Sequence, residues 1–176
     1  MRSLLFVPAH REDLIEKALK SEADALIFDL EDSCPEKFHA KGIENIKKYP
    51  TVFPWQKKFV RVRNSNDWYL TDYCDSIINP KTENILIPDN SFALIESARG
   101  IMYSGTIAEC CKGLIFGNED YLADTGCSDY SFARGMVVNA AKAAGVLAID
   151  SVFVDIKDNT GFEAECDKAY IFFSSQ

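Results

Sequence analysis

A parallel α/β fold is predicted by three features of this 176-residue sequence. Short apolar runs alternate with segments of helical period, one of those runs has no polar interruption, and acidic residues recur directly after the runs. Residues 4–7 form the first run. It is too short for a secretory core and meets the charged stretch His10-Arg11-Glu12-Asp13 at once, so it reads as a buried strand. Between residues 11 and 21, Leu14, Ile15, Ala18 and Leu19 share one helical face. Ala25-Leu26-Ile27-Phe28 is wholly apolar, as expected of a strand covered on both sides, and ends in Asp29-Leu30-Glu31-Asp32.

Ser33-Cys34-Pro35-Glu36 has the form of a capping box with proline at the first helical position, and predicts a helix to about Lys48. Residues 59–62 are the next strand, and 84–87 another, closed by Pro88. Residues 92–95 lead to Glu96, and 113–116 lead to Gly117-Asn118-Glu119-Asp120. A helix is predicted over Ser131–Ala144 with Gly145 as its cap, then strands over 151–156 and 170–173. About eight strands favour a TIM (β/α)8 barrel, in a chain shorter than that fold usually needs. No linker, repeat or low-complexity stretch interrupts the pattern, so residues 1–176 are expected to form a single domain.

Composition narrows the function. The net charge of -8 argues against a nucleic-acid partner, which needs a basic footprint, while leaving room for a small anion held by a few arginines. No apolar stretch is long enough to cross a membrane, and a cytoplasmic protein is expected. The six cysteines are scattered without a C-x-x-C pair, and His10 and His39 are the only histidines. Free thiols are therefore expected, and neither zinc nor a cysteine nucleophile.

In parallel α/β folds, ligands sit at the C-terminal ends of the strands. Those ends carry Asp29, Glu31 and Asp32, then Arg61, then Glu96, then Glu119 and Asp120. Carboxylates without histidine or thiolate are hard ligands that select magnesium, manganese or calcium. An arginine beside such a cation can clamp a substrate carboxylate, which suits reactions through an enolate or alkoxide. Taken singly, acids after strands are as often helix caps, and Arg61 could be a structural ion-pair partner; Asp124 and Asp150 read as structural.

Several blocks resemble the citrate lyase beta subunit-like family, within the HpcH/HpaI aldolase superfamily. They are Arg2-Ser3-Leu4-Leu5-Phe6-Val7-Pro8, Asp29-Leu30-Glu31-Asp32-Ser33, Val60-Arg61-Val62, Ile95-Glu96-Ser97-Ala98-Arg99-Gly100 and Phe116-Gly117-Asn118-Glu119-Asp120. The stretch from Ala141 to Asp150 resembles a further block. The resemblance implies a TIM barrel that binds Mg2+ and cleaves or forms a carbon–carbon bond in a 3-hydroxyacyl thioester of the citryl-, malyl- or citramalyl-CoA type. It implies Glu96 and Asp120 as metal ligands, and Arg61 as the group that engages the substrate carboxylate. Glu31 and Asp32 match an acidic pair beside the metal-bound waters. Arg11 and Lys37 fall near basic positions for the coenzyme A phosphates. The implied partners are an acyl-CoA or acyl-carrier thioester and an oxo acid, in a homo-oligomer, a trimer or hexamer.

The sequence departs from the family in two places. Only about four residues separate the strand ending at Pro88 from the next, whereas a parallel neighbour needs a crossover of a dozen or more. The second is at the end, where 172–176 resemble the family's last strand block without its histidine and proline. The barrel is therefore expected to be incomplete, lacking the crossover helix between strands four and five and a C-terminal segment. Two other readings stand beside the lyase: a non-catalytic structural or regulatory homologue, and an aldolase acting on free oxo acids without CoA.

Overall fold

A computed structural model describes residues 1–51 and 53–173, with side chains to Tyr170. The chain divides into two compact units, Met1–Asn79 and Pro80–Gln176.

The first unit contains β1 (Leu4–Pro8), α1 (Glu12–Ala18), β2 (Ala25–Asp29), α2 (His39–Lys48), β3 (Lys57–Arg61) and β4 (Ser76–Asn79). Its strands are parallel in the order β1-β2-β3-β4. β2 is buried at all five positions, as its unbroken apolar run requires. Val7, Ile15, Leu26, Phe28, Leu30, Ile46, Val60 and Ile77 belong to one core cluster between sheet and helices. The end of α2 is closed by a side chain from the sheet. Lys58 Nζ donates to the carbonyls of Ile46 and of Tyr49, the latter at 2.8 Å, satisfying carbonyls that a helix end leaves without partners.

The second unit contains β5 (Ser91–Ile95), α3 (Ala98–Ala108), β6 (Gly113–Phe116), α4 (Asn118–Thr125), α5 (Ser131–Ala144), β7 (Leu147–Ile149) and α6 (Asn159–Phe173). Its strands are parallel in the order β5-β6-β7. Ala93, Ile95, Ile101, Ile107, Leu114, Phe116, Val137 and Ala141 make a second core cluster. Gly145 caps α5 in the left-handed region at φ 71, as the sequence predicts.

The α/β class and the parallel pairing within each unit agree with expectation; several elements do not. Residues 84–87 are not a strand. Asn84 Oδ1 accepts the Leu86 N–H at 2.9 Å, a turn that competes with extended pairing, and Leu86 is 76% exposed. The fourth strand is instead β4, whose apolar content is only Ile77 and Ile78. The loop before β5 is therefore 80–90, not the few residues after Pro88. Residues 151–156 are also not a strand. β7 forms directly after the α5 cap, and Val152, Val154 and Ile156 of the following stretch are exposed. Residues 170–173 continue helix α6, and 174–176 lie outside the described residues. The expected capping box at Ser33 does not form: the hydroxyl turns to Asp29, and Glu36–Phe38 is a 3-10 turn without a side-chain cap. Among the described residues, seven strands are present rather than eight.

Candidate functional site

In the first unit, strand register places Asp29 level with Arg61. Arg61 Nε and Nη2 donate to Asp29 Oδ1 and Oδ2, each at 2.7 Å, a bidentate pair. Arg61 Nη1 lies 3.3 Å from Glu31 Oε2 and 3.0 Å from Asp32 Oδ2. The guanidinium also lies over the Phe6 ring, 5.0 Å from its centroid. Asp29 accepts further bonds from the Glu31 N–H at 3.0 Å, the Ser33 N–H at 2.9 Å and the Ser33 hydroxyl at 2.5 Å.

Burial by itself would raise the Asp29 carboxyl. The bonds and charge of Arg61, with Ser33 and the Glu31 amide, outweigh it and hold the group below its ordinary value. Burial likewise opposes the charge on Arg61, and Asp29 with Glu31 and Asp32 more than restores it. The sequence-predicted trio of Arg61, Glu31 and Asp32 thus comes together, on a fully buried Asp29.

Arg11 and Lys37 lie apart from that knot in their contacts. Arg11 is exposed and pairs bidentately with Asp13 at 2.9 and 2.8 Å. Lys37 is exposed, with Nζ 5.0 Å over the Phe38 ring, which also stacks on His10.

In the second unit, Ile95 pairs with Phe116, so Glu96 and Gly117 emerge level from neighbouring parallel strands. Glu96 is 5% exposed, and its Oε1 accepts the Lys81 backbone N–H at 2.6 Å. Ser97, the next residue, caps α3 by accepting the Gly100 N–H at 3.0 Å, so Glu96 itself is not the cap. Asp120 is exposed in the first turn of α4, where the helix dipole favours negative charge. Asp124 and Asp150 each make contacts of a structural kind. Asp124 Oδ2 accepts the Ala98 N–H at the head of α3, and Asp150 holds the buried Arg134 at 3.0 and 2.7 Å. Among the described residues, no group of three or more histidine, cysteine or acidic side chains is arranged to hold a metal ion. A cation here would draw its remaining ligands from water or substrate oxygens, which suits magnesium. The donor set of Glu96 and Asp120, carboxylate oxygens alone, fits that hard cation.

Sequence reasoning missed Arg63. Its guanidinium donates to the Cys34 carbonyl and to the Glu31 carbonyl at 3.5 Å, and the Arg63 backbone N–H donates to Asp67 Oδ2 at 3.2 Å. Asp67 also pairs with His39 Nε2 at 3.0 Å. The signal was available: Arg63 stands two residues beyond Arg61, the spacing that returns an extended chain to the same face. Asn118 was read only as part of its motif. It is 8% exposed; Nδ2 donates to Glu119 Oε1 at 3.1 Å, and buried Oδ1 has no hydrogen-bond partner among the described residues. All six cysteines are free thiols.

Acidic residues stand at the ends of parallel strands, with a guanidinium bound among three of them, in the α/β class whose ligands bind at those strand ends. The chain belongs to the HpcH/HpaI aldolase/citrate lyase family, whose model matches residues 2–93 and 90–171. The two matched pieces meet at the start of β5, where the sequence predicts a lost crossover. A (3S)-malyl-CoA thioesterase of Cereibacter sphaeroides (strain ATCC 17029) is 30% identical over 195 residues, covering 95% of this chain and 68% of that protein. A citrate lyase subunit beta-like protein of Deinococcus radiodurans is 28% identical over 203 residues, covering 96% and 71%. Alignments longer than the 176 residues of this chain pass over positions that the relatives have and it lacks. The citrate lyase beta subunit of M. tuberculosis, complexed with oxaloacetate and magnesium, superposes with a TM-score of 0.82 at 27% identity, covering 98% of this chain and 88% of that one. The CitE protein of Mycobacterium tuberculosis in complex with magnesium, acetoacetate and coenzyme A gives 0.80 at 28%, covering 97% and 73%.

Proposed function

We propose that this protein is a magnesium-dependent carbon–carbon lyase. It would cleave a 3-hydroxyacyl thioester of the citryl-, malyl- or citramalyl-CoA type to an oxo acid and a shorter acyl thioester. The observation that carries this is the β5–β6 register, which brings Glu96 and the first turn of α4, with Asp120, out of adjacent strand ends. Complexes of related chains with magnesium, oxaloacetate and coenzyme A support the same ligands here. On this reading residues 1–176 work as one incomplete TIM barrel, in the cytoplasm and within a homo-oligomer, a trimer or hexamer. Among the described residues no helix is long and apolar enough to cross a membrane.

Glu96 and Asp120 would hold the cation. Magnesium supplies charge that lowers the pKa of a substrate hydroxyl and neutralises developing negative charge. Arg61, oriented by Asp29, presents Nη1 to an anion in the place now taken by Glu31 and Asp32. A substrate carboxylate would exchange with those two acids, and Asp29 keeps the guanidinium in one orientation throughout. Glu31 and Asp32, so released, would be free to hold water. Loss of the hydroxyl proton turns its C–O bond into a carbonyl. The carbon–carbon bonding pair passes to the thioester α-carbon, and that carbon takes up a proton. Arg11 and Lys37, both exposed, would meet the coenzyme A phosphates by giving up their local contacts to Asp13 and Phe38.

A second reading, hydrolysis of the thioester, is favoured by the relatives named (3S)-malyl-CoA thioesterase. Incubation with malyl-, citramalyl- and citryl-CoA, with and without magnesium, separates the two. Lyase activity yields an oxo acid without free thiol; hydrolysis yields free coenzyme A thiol and the intact hydroxy acid. Neither product from any of the three thioesters leaves a non-catalytic homologue or an aldolase of free oxo acids.

A further inference from the structure

Gly117 follows β6 and caps α4 with φ -106 and ψ 94, a conformation open to any residue, so the backbone does not demand glycine there. Space does. A Cβ at this position would stand 2.8 Å from Glu96 Cβ and 3.0 Å from Glu96 Oε2, with Leu94 Cδ1 at 3.4 Å. The first of these atoms is the root of the Glu96 side chain, not its flexible tip. It can give way only if the end of β5 shifts. That shift is opposed by the Gly117 N–H, which donates to the Ile95 carbonyl at 2.9 Å and ties the two strand ends together.

The other carboxylate oxygen is held from a different direction. Lys81 donates its backbone N–H to Glu96 Oε1 at 2.6 Å from a left-handed conformation, φ 49, which is uncommon outside glycine. One oxygen thus accepts an amide, and the other stands where a Cβ at Gly117 would press within 3.0 Å of it. A buried carboxylate with this footing has little freedom to rotate.

We propose that Gly117 is a positioning residue for the cation site, its missing side chain setting the orientation in which the Glu96 carboxylate meets the metal. The proposal rests on the reading of Glu96 as a cation ligand. It assigns Gly117 no contact with substrate or cation.

The test is Mn2+ binding followed by electron paramagnetic resonance on the wild-type chain, G117A and G105A. Gly105 is an exposed position in α3 where a Cβ would meet nothing within 4 Å, so its substitution controls for the added methyl group. Wild type and G105A are expected to bind alike. G117A is expected to bind about tenfold to a hundredfold more weakly, the usual range for disturbing the support of a metal ligand, while its circular dichroism remains native. A folded G117A with wild-type affinity overturns the inference and leaves the cation reading standing. A wild-type chain that binds no Mn2+ overturns the cation reading, and the inference with it. Should G117A fail to fold, a crystal structure of the Mn2+-loaded wild type decides. Glu96 still seated against Gly117 supports the proposal, and Glu96 swung away from it overturns it.

Discussion

Asp29 and Glu96 are both buried acids at the ends of parallel strands, and a feature that bears on one is missing from the other: only beside Glu96 would an added Cβ on the neighbouring strand collide. Asp29 is gripped mainly by side chains: the fork of Arg61 and the hydroxyl of Ser33, with two nearby amides. Main chain meets both oxygens of Glu96: the Lys81 N–H donates to one, and a Cβ at Gly117 would stand 3.0 Å from the other. The first arrangement is electrostatic and responds to charge and pH. The second carries a steric element, which responds to backbone and volume. A site that must keep an arginine aimed while exchanging its anions gains from the first. One that must hold a single carboxylate still for a cation gains from the second.

The largest expected effect tests the acid packed against Gly117. Glu96→Gln keeps the shape but removes the charge, and should lower magnesium-dependent turnover by on the order of 10²- to 10³-fold with little change in melting temperature. Steady-state kinetics with a magnesium titration checks it; near-normal turnover at saturating magnesium would show that Glu96 is not a ligand. Asp29→Asn attacks the other kind. It leaves Arg61 buried with half of its fork unmatched, and should cost about 3 kcal/mol of stability by urea denaturation. A loss within error of zero would mean that Glu31 and Asp32 suffice to hold the guanidinium.

Acid sharpens the same contrast. Asp29 has a folded pKa below its ordinary 3.8, so its stabilising contribution is complete above that value and fades as pH falls through the folded one. The stability gap between wild type and D29N should therefore shrink below about pH 4. A gap that stays constant between pH 5 and pH 3 would contradict the assignment.

How much of this the sequence disclosed depends on the kind of signal. Ala25-Leu26-Ile27-Phe28 was legible because burial on both faces leaves a continuous apolar run. β4 was not, because its two isoleucines are outweighed by polar neighbours, while the more apolar 84–87 stretch is broken by the Asn84 turn. The helix at 170–173 was hidden because an apolar run of four carries no period that separates helix from strand. In the site, charged residues after strands were readable from their types and order. The roles of Gly117 and of the Lys81 amide were not, since neither a missing side chain nor a backbone donor carries a chemical signature in one sequence.

The smallest effect comes from a group the same electrostatic logic governs, at the other end of β3. Burial pushes the Lys58 ammonium down to about 8 from 10.5, in a place where Nζ serves the end of α2 and lies 4.9 Å over the Phe28 ring. Between those two values the unfolded chain binds a proton at this position that the folded chain does not. Stability from this group therefore rises with pH across the window, by up to about 1.4 kcal/mol per pH unit. Cys74 opposes it: burial pushes its thiol up to about 11 from 9.0, so the folded chain keeps a proton that the unfolded one loses. Both trends are present in the wild type, and only the second survives in Lys58→Met. The measurement is the difference in unfolding free energy between the two proteins from pH 7.5 to 10. Wild type should gain on the variant by about 1 kcal/mol or more over that range. A flat difference would show that water reaches the Lys58 ammonium, and that its bonds to the α2 carbonyls do not keep it from solvent.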